Sequence, residues 1–572
     1  MIKGAIIRGI SAIPIDIEVG VSRGRGLKII GLPVDAVREA DKRVTHAIPA
    51  AGFMWPDQSV IVNLSPAELK KREAGLDLAI ALAILEATGQ VRVSEAAEPI
   101  FAFGELGVHG DVKGCRGALS VGRMIPEGGT LIAPEGNELE LALLRVLEGE
   151  QKQFRPFVVK HLREAGDVLG GGKGRLALAR KGDYRSAIPS GTDFNRVKGQ
   201  DRAKRALEIA AAGGHFVILM GPPGEGKTML ASALPTILPK LEPREIIELT
   251  EIYSVKGLLD SGRSIVASRP FRSVHHQASA PSIVGGGDRV PEPGEITLAH
   301  RGVLFMDELP LFGPLLLQTL RTPLQDGKIS VARVGLTATF PCEFILIAAM
   351  NPCRCGWDGE FDCGRCGKRL PFGERNCPAC GVRDPRAKCK CTTAEISAYQ
   401  NRLTGPIWDR IDLKIRVSPL PPEIRLEPAR SESSAEIRGR VEAARAEQRK
   451  RFHGTTIQVN ARIPGGEVER YCELHTSAGR ALREVVERFS GTLTMRGQHQ
   501  LLKIARTIAD LNRSALIYKK HIEEAADLSG HEDVKNFLAA QPDQDQCPGC
   551  GGSVDVGDRF CRRCGSKVAE SV

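Results

Sequence analysis

Apolar positions fall into three regimes along the chain. From residue 1 to about 170, strand-like and helix-like patterns are mixed. IDIEVGVSRG and SVIVNLSP alternate at period two and predict strands. LDLAIALAILEATG predicts an apolar helix stopped by Gly89, and GELGVHGDVKGCRGAL predicts a strand, a turn and the start of a helix. From about 194, helices alternate with short runs apolar at nearly every position: HFVILMG, GVLFMDE and FILIAAMN. Runs of that kind suit strands covered on both faces, as in a parallel α/β sheet. After about 425 the chain turns helical and charged, in SSAEIRGRVEAARAEQRKRF and LLKIARTIADLNRS. The glycine-rich, polar stretch before 194 reads as a linker, and QPDQDQ reads as a second one before a short cysteine-rich tail. The expected organisation is therefore an α+β domain (1–170), a linker (171–193), an α/β core (194–425), a helical domain (426–538) and a tail module (546–572).

Composition adds bounds. Hydrophobic residues at 42% and charged residues at 26% suit a folded globular chain. No apolar run approaches the ~18 residues of a membrane span. The amino-terminal MIKGAIIRGI lacks the apolar core of a signal peptide. These features predict a cytoplasmic protein with no membrane partner. The net charge of +10 invites an anionic partner. Of the fifteen cysteines, eight lie within 353–391 and four within 547–564. Pair spacing in a reducing compartment points to zinc rather than disulfides. Three four-thiolate sites, each about −2, would lower the net charge to about +4, so local charge matters more than the total.

GPPGEGKT at 221–228 fits G-x-x-x-x-G-K-T, between an apolar strand and the helix TMLASALPTIL. The backbone of Gly221, Pro222, Pro223, Gly224, Glu225 and Gly226 would close around phosphate oxygens. Lys227 would reach the β- and γ-phosphates and Thr228 would bind Mg²⁺. GVLFMDELP ends an apolar strand in Asp307 and Glu308, the first placed to support Mg²⁺ and the second to polarise the attacking water. FILIAAMN ends another strand in Asn351, which can orient water near a γ-phosphate.

FRSVHHQASAPSIVGGGDRVPEPGEITLAHRGVLFMDELPLF, LRTPLQDGKISVARVGLTATFPCEFILIAAMNPCRCG, GPIWDRIDL and LLKIARTIADL closely resemble the magnesium-chelatase-like AAA+ ATPases of the ComM/YifB family. The resemblance covers about 1–530. It implies a multidomain α/β protein with a Lon-protease-like α+β amino-terminal domain, an AAA+ P-loop core, a helical lid and zinc ribbons. It further implies ATP hydrolysis with Mg²⁺, a homo-hexameric ring and action on single-stranded or branched DNA, as in branch migration during recombination or natural transformation. By the same resemblance Asn351 is sensor 1, Arg410 the arginine finger (with Arg402 in reserve) and Arg496 sensor 2. DGKISVARVGLTATF alternates like a hairpin; in the related MCM-type ATPases such a hairpin enters the ring's pore, where Lys328 and Arg333 would meet phosphates. His275 and His276, taken as neighbours on an extended strand, would point to opposite faces and serve structure or an interface.

Lon-type proteolysis needs a serine activated by a lysine. Aligned on the family, the serine's place near KREAGLDLAIA is held by Leu76, and CRGALSVG has no lysine. Ser65 and Ser120 lie nearby without an evident partner. A degenerate scaffold is expected, not a protease.

The family's cysteine pattern resembles what is left when the inner pairs of the 353–391 cluster are removed. It implies one structural zinc site from Cys353, Cys355, Cys389 and Cys391, and a second, inserted, from Cys363, Cys366, Cys377 and Cys380; a cross-braced pairing stays open. Cys547, Cys550, Cys561 and Cys564 predict a third ribbon, which zinc must stabilise because the tail is too short for a core. Competing readings are a metal-chelatase motor subunit, a protein-remodelling ATPase and an adaptor built on the ribbons.

Overall fold

The computed structural model describes residues 2–530 except 32–33, 67–73, 94–98, 148–153, 179–186, 190, 260–264, 288–289, 334–335, 358–379, 382–388, 390, 404–406, 421, 427–430 and 490–492. The cysteines at 363, 366 and 377 and the whole tail module lie outside the described residues.

The amino-terminal sheet has eight strands. They are β1 (Ile2–Arg8), β2 (Ser11–Ser22), β3 (Gly26–Ile30), β4 (Ser59–Ser65), β5 (Ile100–Ala102), β8 (Thr130–Pro134), β9 (Arg155–Val159) and β10 (Arg175–Leu176), in the order β10-β9-β8-β5-β1-β2-β4-β3. A small hairpin, β6 (Glu105–Leu106) and β7 (Val112–Lys113), stands apart. Parallel and antiparallel pairings mix: β1 runs parallel to β5 and antiparallel to β2. β10 falls within the stretch read as linker, yet it pairs with β9 and extends this sheet. The helix Asp77–Ala87 is buried over Asp77–Leu85, which explains why its sequence is apolar all round rather than striped.

The second sheet is fully parallel. β12 (Phe271–Val274), β15 (Val303–Met306), β18 (Ile345–Met350), β11 (Val217–Met220) and β19 (Leu413–Arg416) lie in the order β12-β15-β18-β11-β19. Its apolar runs are continuous because both faces are covered. Val217, Leu219, Phe305, Ile347 and Ala349 enter one core with the helices after residue 433, while Ile218, Met220, Leu304, Met306, Leu346 and Ala348 enter another. The period-two alternation sends successive residues into different cores. Two further pairs decorate this unit: β13 (Gly285–Gly286) with β14 (Glu292–Pro293), and β16 (Lys328–Arg333) with β17 (Leu336–Pro341).

The two sheets are joined by more than chain connectivity. Leu241, Ile246, Ile247 and Leu249 of the core domain share one apolar cluster with Phe101, Phe103, Leu131 and Leu141 of the amino-terminal domain. At its rim Arg123 pairs with Glu251 at 2.7 Å, and Ser254 donates to Glu140 at 2.6 Å. The β1–β2 turn also reaches the β16–β17 hairpin: a Cβ at Gly9 would stand 3.1 Å from that of Ala338.

The helix Ser434–Arg451 opens with a capping box, Ser433 with Glu436. It then binds the carboxyl end of the helix Asp201–Gly213. Arg445 donates to the Ala211 carbonyl at 2.8 Å and Gln448 to that of Ala212 at 2.9 Å. Those carbonyls have no partner within their own helix.

Candidate active site

β11 ends at Met220 and the chain turns through 221–226 into the helix Lys227–Ile237. Gly224 and Gly226 adopt φ of 80° and 83°, where a side chain would strain the backbone. Gly221 is required for a different reason: a Cβ there would come within 2.1 Å of the Val417 carbonyl oxygen. No side chain caps the helix, so its first N–H groups face the loop's concavity. Lys227 is only 8% exposed and donates to the carbonyls of Gly221 (2.7 Å) and Pro222 (2.8 Å) and to Asn351 Oδ1 (3.0 Å). Burial lowers its pKa, while Asp307, Glu225 and Glu308 oppose that shift. Thr228, the next residue, is exposed.

Parallel strands deliver their carboxyl ends to one edge. β15 and β18 bring Asp307 and Asn351 to the edge where β11 delivers the loop. Glu308 adopts φ of 52°, and its N–H donates to Asp307 Oδ1 at 2.9 Å. The structure corrects the expected separation of the two histidines. β12 stops at Val274, the chain turns at 276–277, and the rings of His275 and His276 lie 4.1 Å apart. His276 Nδ1 stands 3.3 Å from Glu308 Oε2. Spacing alone could not reveal this, because it depends on where β12 ends.

Arg410 and Arg496 lie at the opposite edge. Arg410 precedes β19, and with Arg462, Arg496 and Lys503 it lines a cleft of about 540 Å³ that also meets Phe216, before β11. Asp326 and Asp412 are the carboxylates there, and Asp412 already accepts from the Phe216 N–H at 3.1 Å. Burial lowers the Arg410 pKa, and the like charges of Arg496 and Arg321 lower it further. Arg402 sits exposed on the turn Asn401–Leu403, outside this cleft. Lys328 is exposed at the start of β16, whereas Arg333 Nε donates to the Gly287 carbonyl at 2.7 Å.

The sulfurs of Cys353, Cys355, Cys389 and Cys391 all lie within 4.8 Å of one another. Sulfur–sulfur distances of 3.3, 3.7 and 3.5 Å among the first three approach the ~3.8 Å edge of a tetrahedron with 2.3 Å Zn–S bonds. Burial and the neighbouring sulfurs push the Cys389 thiol well above its ordinary range, a cost that a bound divalent cation would remove. The donor set fits structural zinc. In the amino-terminal domain Leu76 is 1% exposed and Ser120 2%, so neither position opens to solvent.

Residues 193–370 and 372–424 match the family described as magnesium chelatase, subunit ChlI; 17–137 match subunit ChlI of Mg-chelatase, and 431–529 its carboxyl-terminal part. The uncharacterised protein YifB of Salmonella typhimurium is 39% identical over 525 residues, covering 90% of this chain and 94% of that protein. The competence protein ComM of Haemophilus influenzae is 35% identical over 528 residues, with the same coverages. This chain belongs to the ComM/YifB family of magnesium-chelatase-like proteins. The magnesium-chelatase 67 kDa subunit of Chlorobaculum parvum is 30% identical over 186 residues, only 26% of its length. The parallel sheet agrees with an AAA+ core, and family membership supports an ATPase that uses ATP and Mg²⁺. Among the described residues, no helix is long and apolar enough to cross a membrane.

Proposed function

We propose that this protein is an ATP-driven DNA motor that works as a homo-hexameric ring and migrates branched DNA in recombination or natural transformation. One observation carries the reading. Lys227, Asp307, Glu308 and Asn351 gather at one edge of the sheet, and Arg410 and Arg496 at the other. A single chain therefore holds two half-sites facing apart, and a ring of copies would join them. The similarity to a competence protein supports DNA as the substrate.

In this reading the loop's N–H groups and Lys227 bind the phosphates. Thr228 and Asp307 would hold Mg²⁺, which neutralises phosphate charge when bound. Glu308 orients and polarises the attacking water, Asn351 helps place it, and Arg410 and Arg496 meet the γ-phosphate of the neighbouring copy. Lys328, exposed on the hairpin, would contact the DNA backbone without reading sequence.

The test is the ATPase rate with and without single-stranded and branched DNA over a salt series. Stimulation that fades with salt is expected, because phosphate contacts release counterions. Glu308→Gln should bind ATP yet turn over at least about 100-fold more slowly. Turnover indifferent to every DNA would shift the reading to a chelatase-type motor, the alternative favoured by the similarity to the 67 kDa subunit.

A further inference from the structure

The adjacent histidines were read above as structural, yet one of them meets the carboxylate proposed to activate water. His276 Nδ1 is buried without a hydrogen-bond partner, and Glu308 Oε2 lies 3.3 Å away. Among the described residues, no other basic side chain comes within 4.0 Å of that carboxylate. The imidazole cannot easily go elsewhere. Its ring packs against that of His275 at 4.1 Å with a 34° tilt and meets Phe312 nearly edge-on, at 83° and 6.5 Å. Phe312 is itself 3% exposed, and His275 is held by its own turn, its Nδ1 accepting from the Gln277 N–H at 3.3 Å.

A buried imidazole nitrogen normally has a partner. Hydrogen bonds at catalytic centres are often long in the ligand-free state and tighten once substrate is bound. Glu308 also carries an unusual backbone, with φ of 52° and its N–H turned to Asp307 Oδ1. Its main chain is thus fixed from one side, while its carboxylate faces the unpartnered imidazole nitrogen on the other.

We infer that His276 is a positioning residue for ATP hydrolysis: its Nδ1–H donates to Glu308 Oε2 and leaves Oε1 to hold the attacking water. This inference rests on the reading of Glu308 given above. His276 touches neither nucleotide nor metal in this scheme. It acts by restricting the carboxylate to one orientation, and misplacement of a catalytic group by about 1 Å can cost 100-fold in rate.

The test uses the full-length protein and three substitutions. His276→Phe keeps an aromatic ring, its packing on His275 and the edge contact but removes the donor. His276→Asn keeps a short donor near the Nδ1 position. Glu308→Gln is the reference. Steady-state ATP hydrolysis gives kcat and KM, titration with a fluorescent ATP analogue gives Kd, and thermal unfolding reports the fold. His276→Phe should lower kcat about 10- to 100-fold while Kd stays within about two-fold. His276→Asn should recover most of that loss. In the Glu308→Gln background His276→Phe should cost nothing further, since the carboxylate it positions is gone.

Several outcomes would overturn the inference. These are an undiminished kcat in His276→Phe, a parallel loss of Kd and melting temperature, an Asn variant as poor as the Phe variant, or additive losses in the double variant. Failure of the underlying reading looks different. If Glu308→Gln alone turns over at the wild-type rate, Glu308 is not the activating base, whatever His276 does.

Discussion

Lys227 directs its amine to Gly221, Pro222 and Asn351; in the proposed function, nucleotide binding would exchange those acceptors for phosphate oxygens. Lys227→Ala should therefore abolish binding of a fluorescent ATP analogue without lowering the melting temperature by more than a few degrees. A second residue-scale case is purely structural. Asp510 is 3% exposed and accepts from Arg451 at 2.5 Å, Asn460 at 2.8 Å and Arg506 at 3.1 Å. Asp510→Ala would remove the carboxylate shared by Arg451 and Arg506, leaving Arg451 only the Asn460 Oδ1 and Arg506 only the carbonyls of Ser514 and Ala515. A loss of about 3 kcal/mol, the low end for a broken buried pair because both guanidinium groups keep other acceptors, is expected in denaturant unfolding. Glu248 sets a pH dependence. Burial would raise its pKa, but the His300 hydrogen bond and the Arg301 charge outweigh burial and hold the carboxyl at about 2. A depressed carboxyl stabilises the fold above its unfolded value of 4.5, and that stability is lost as pH falls toward 2. The stability gap between wild type and Glu248→Gln should thus be full near pH 6 and shrink below pH 4.5. A gap that widens on acidification would contradict the assignment.

Among elements, the helix Ser434–Arg451 ties the carboxyl-terminal helical region to the parallel-sheet core. Gln448 is fully buried, donating to Ala212 and accepting from the Asn460 N–H at 3.0 Å. Gln448→Ala leaves both backbone groups unpaired, and about 1–3 kcal/mol of stability should disappear in denaturant titration. The cysteine cluster makes a separate prediction. Metal analysis of the purified protein should find zinc, and Cys353→Ser should reduce it by one equivalent. Unchanged zinc would remove these four thiols from the ligand set. At this scale the sequence was readable wherever periodicity was strong. The three apolar runs became β11, β15 and β18, and the alternation in DGKISVARVGLTATF became the β16–β17 hairpin. β10 was not readable, because two residues amid glycines acquire strand geometry only by pairing with β9.

For the whole molecule, the two half-sites give the sharpest prediction. Arg410→Ala should reduce turnover about 1,000-fold while nucleotide binding persists. Mixing Arg410→Ala with Lys227→Ala should restore activity above either variant alone, since some interfaces would pair an intact loop with an intact arginine. No recovery over a range of mixing ratios would argue against completion in trans. The amino-terminal domain packs directly against the parallel-sheet core. It shares an apolar cluster with the helix Pro243–Lys256, and its β1–β2 turn abuts the hairpin.

The sequence by itself determined the local chemistry. The order of glycines, Lys227 and Thr228 between strand and helix, on which the proposed phosphate loop rests, is legible because each depends on its neighbours in the chain. The same holds for Asp307 at a strand's end. The tertiary structure decided everything that joins distant segments. It set Arg410 and Arg496 at the far edge of the sheet, gathered Cys353 and Cys355 with Cys389 and Cys391, and turned His276 onto Glu308. The reason is physical. Periodicity records which face of an element is buried, but which element covers that face depends on packing between residues that do not neighbour each other in sequence.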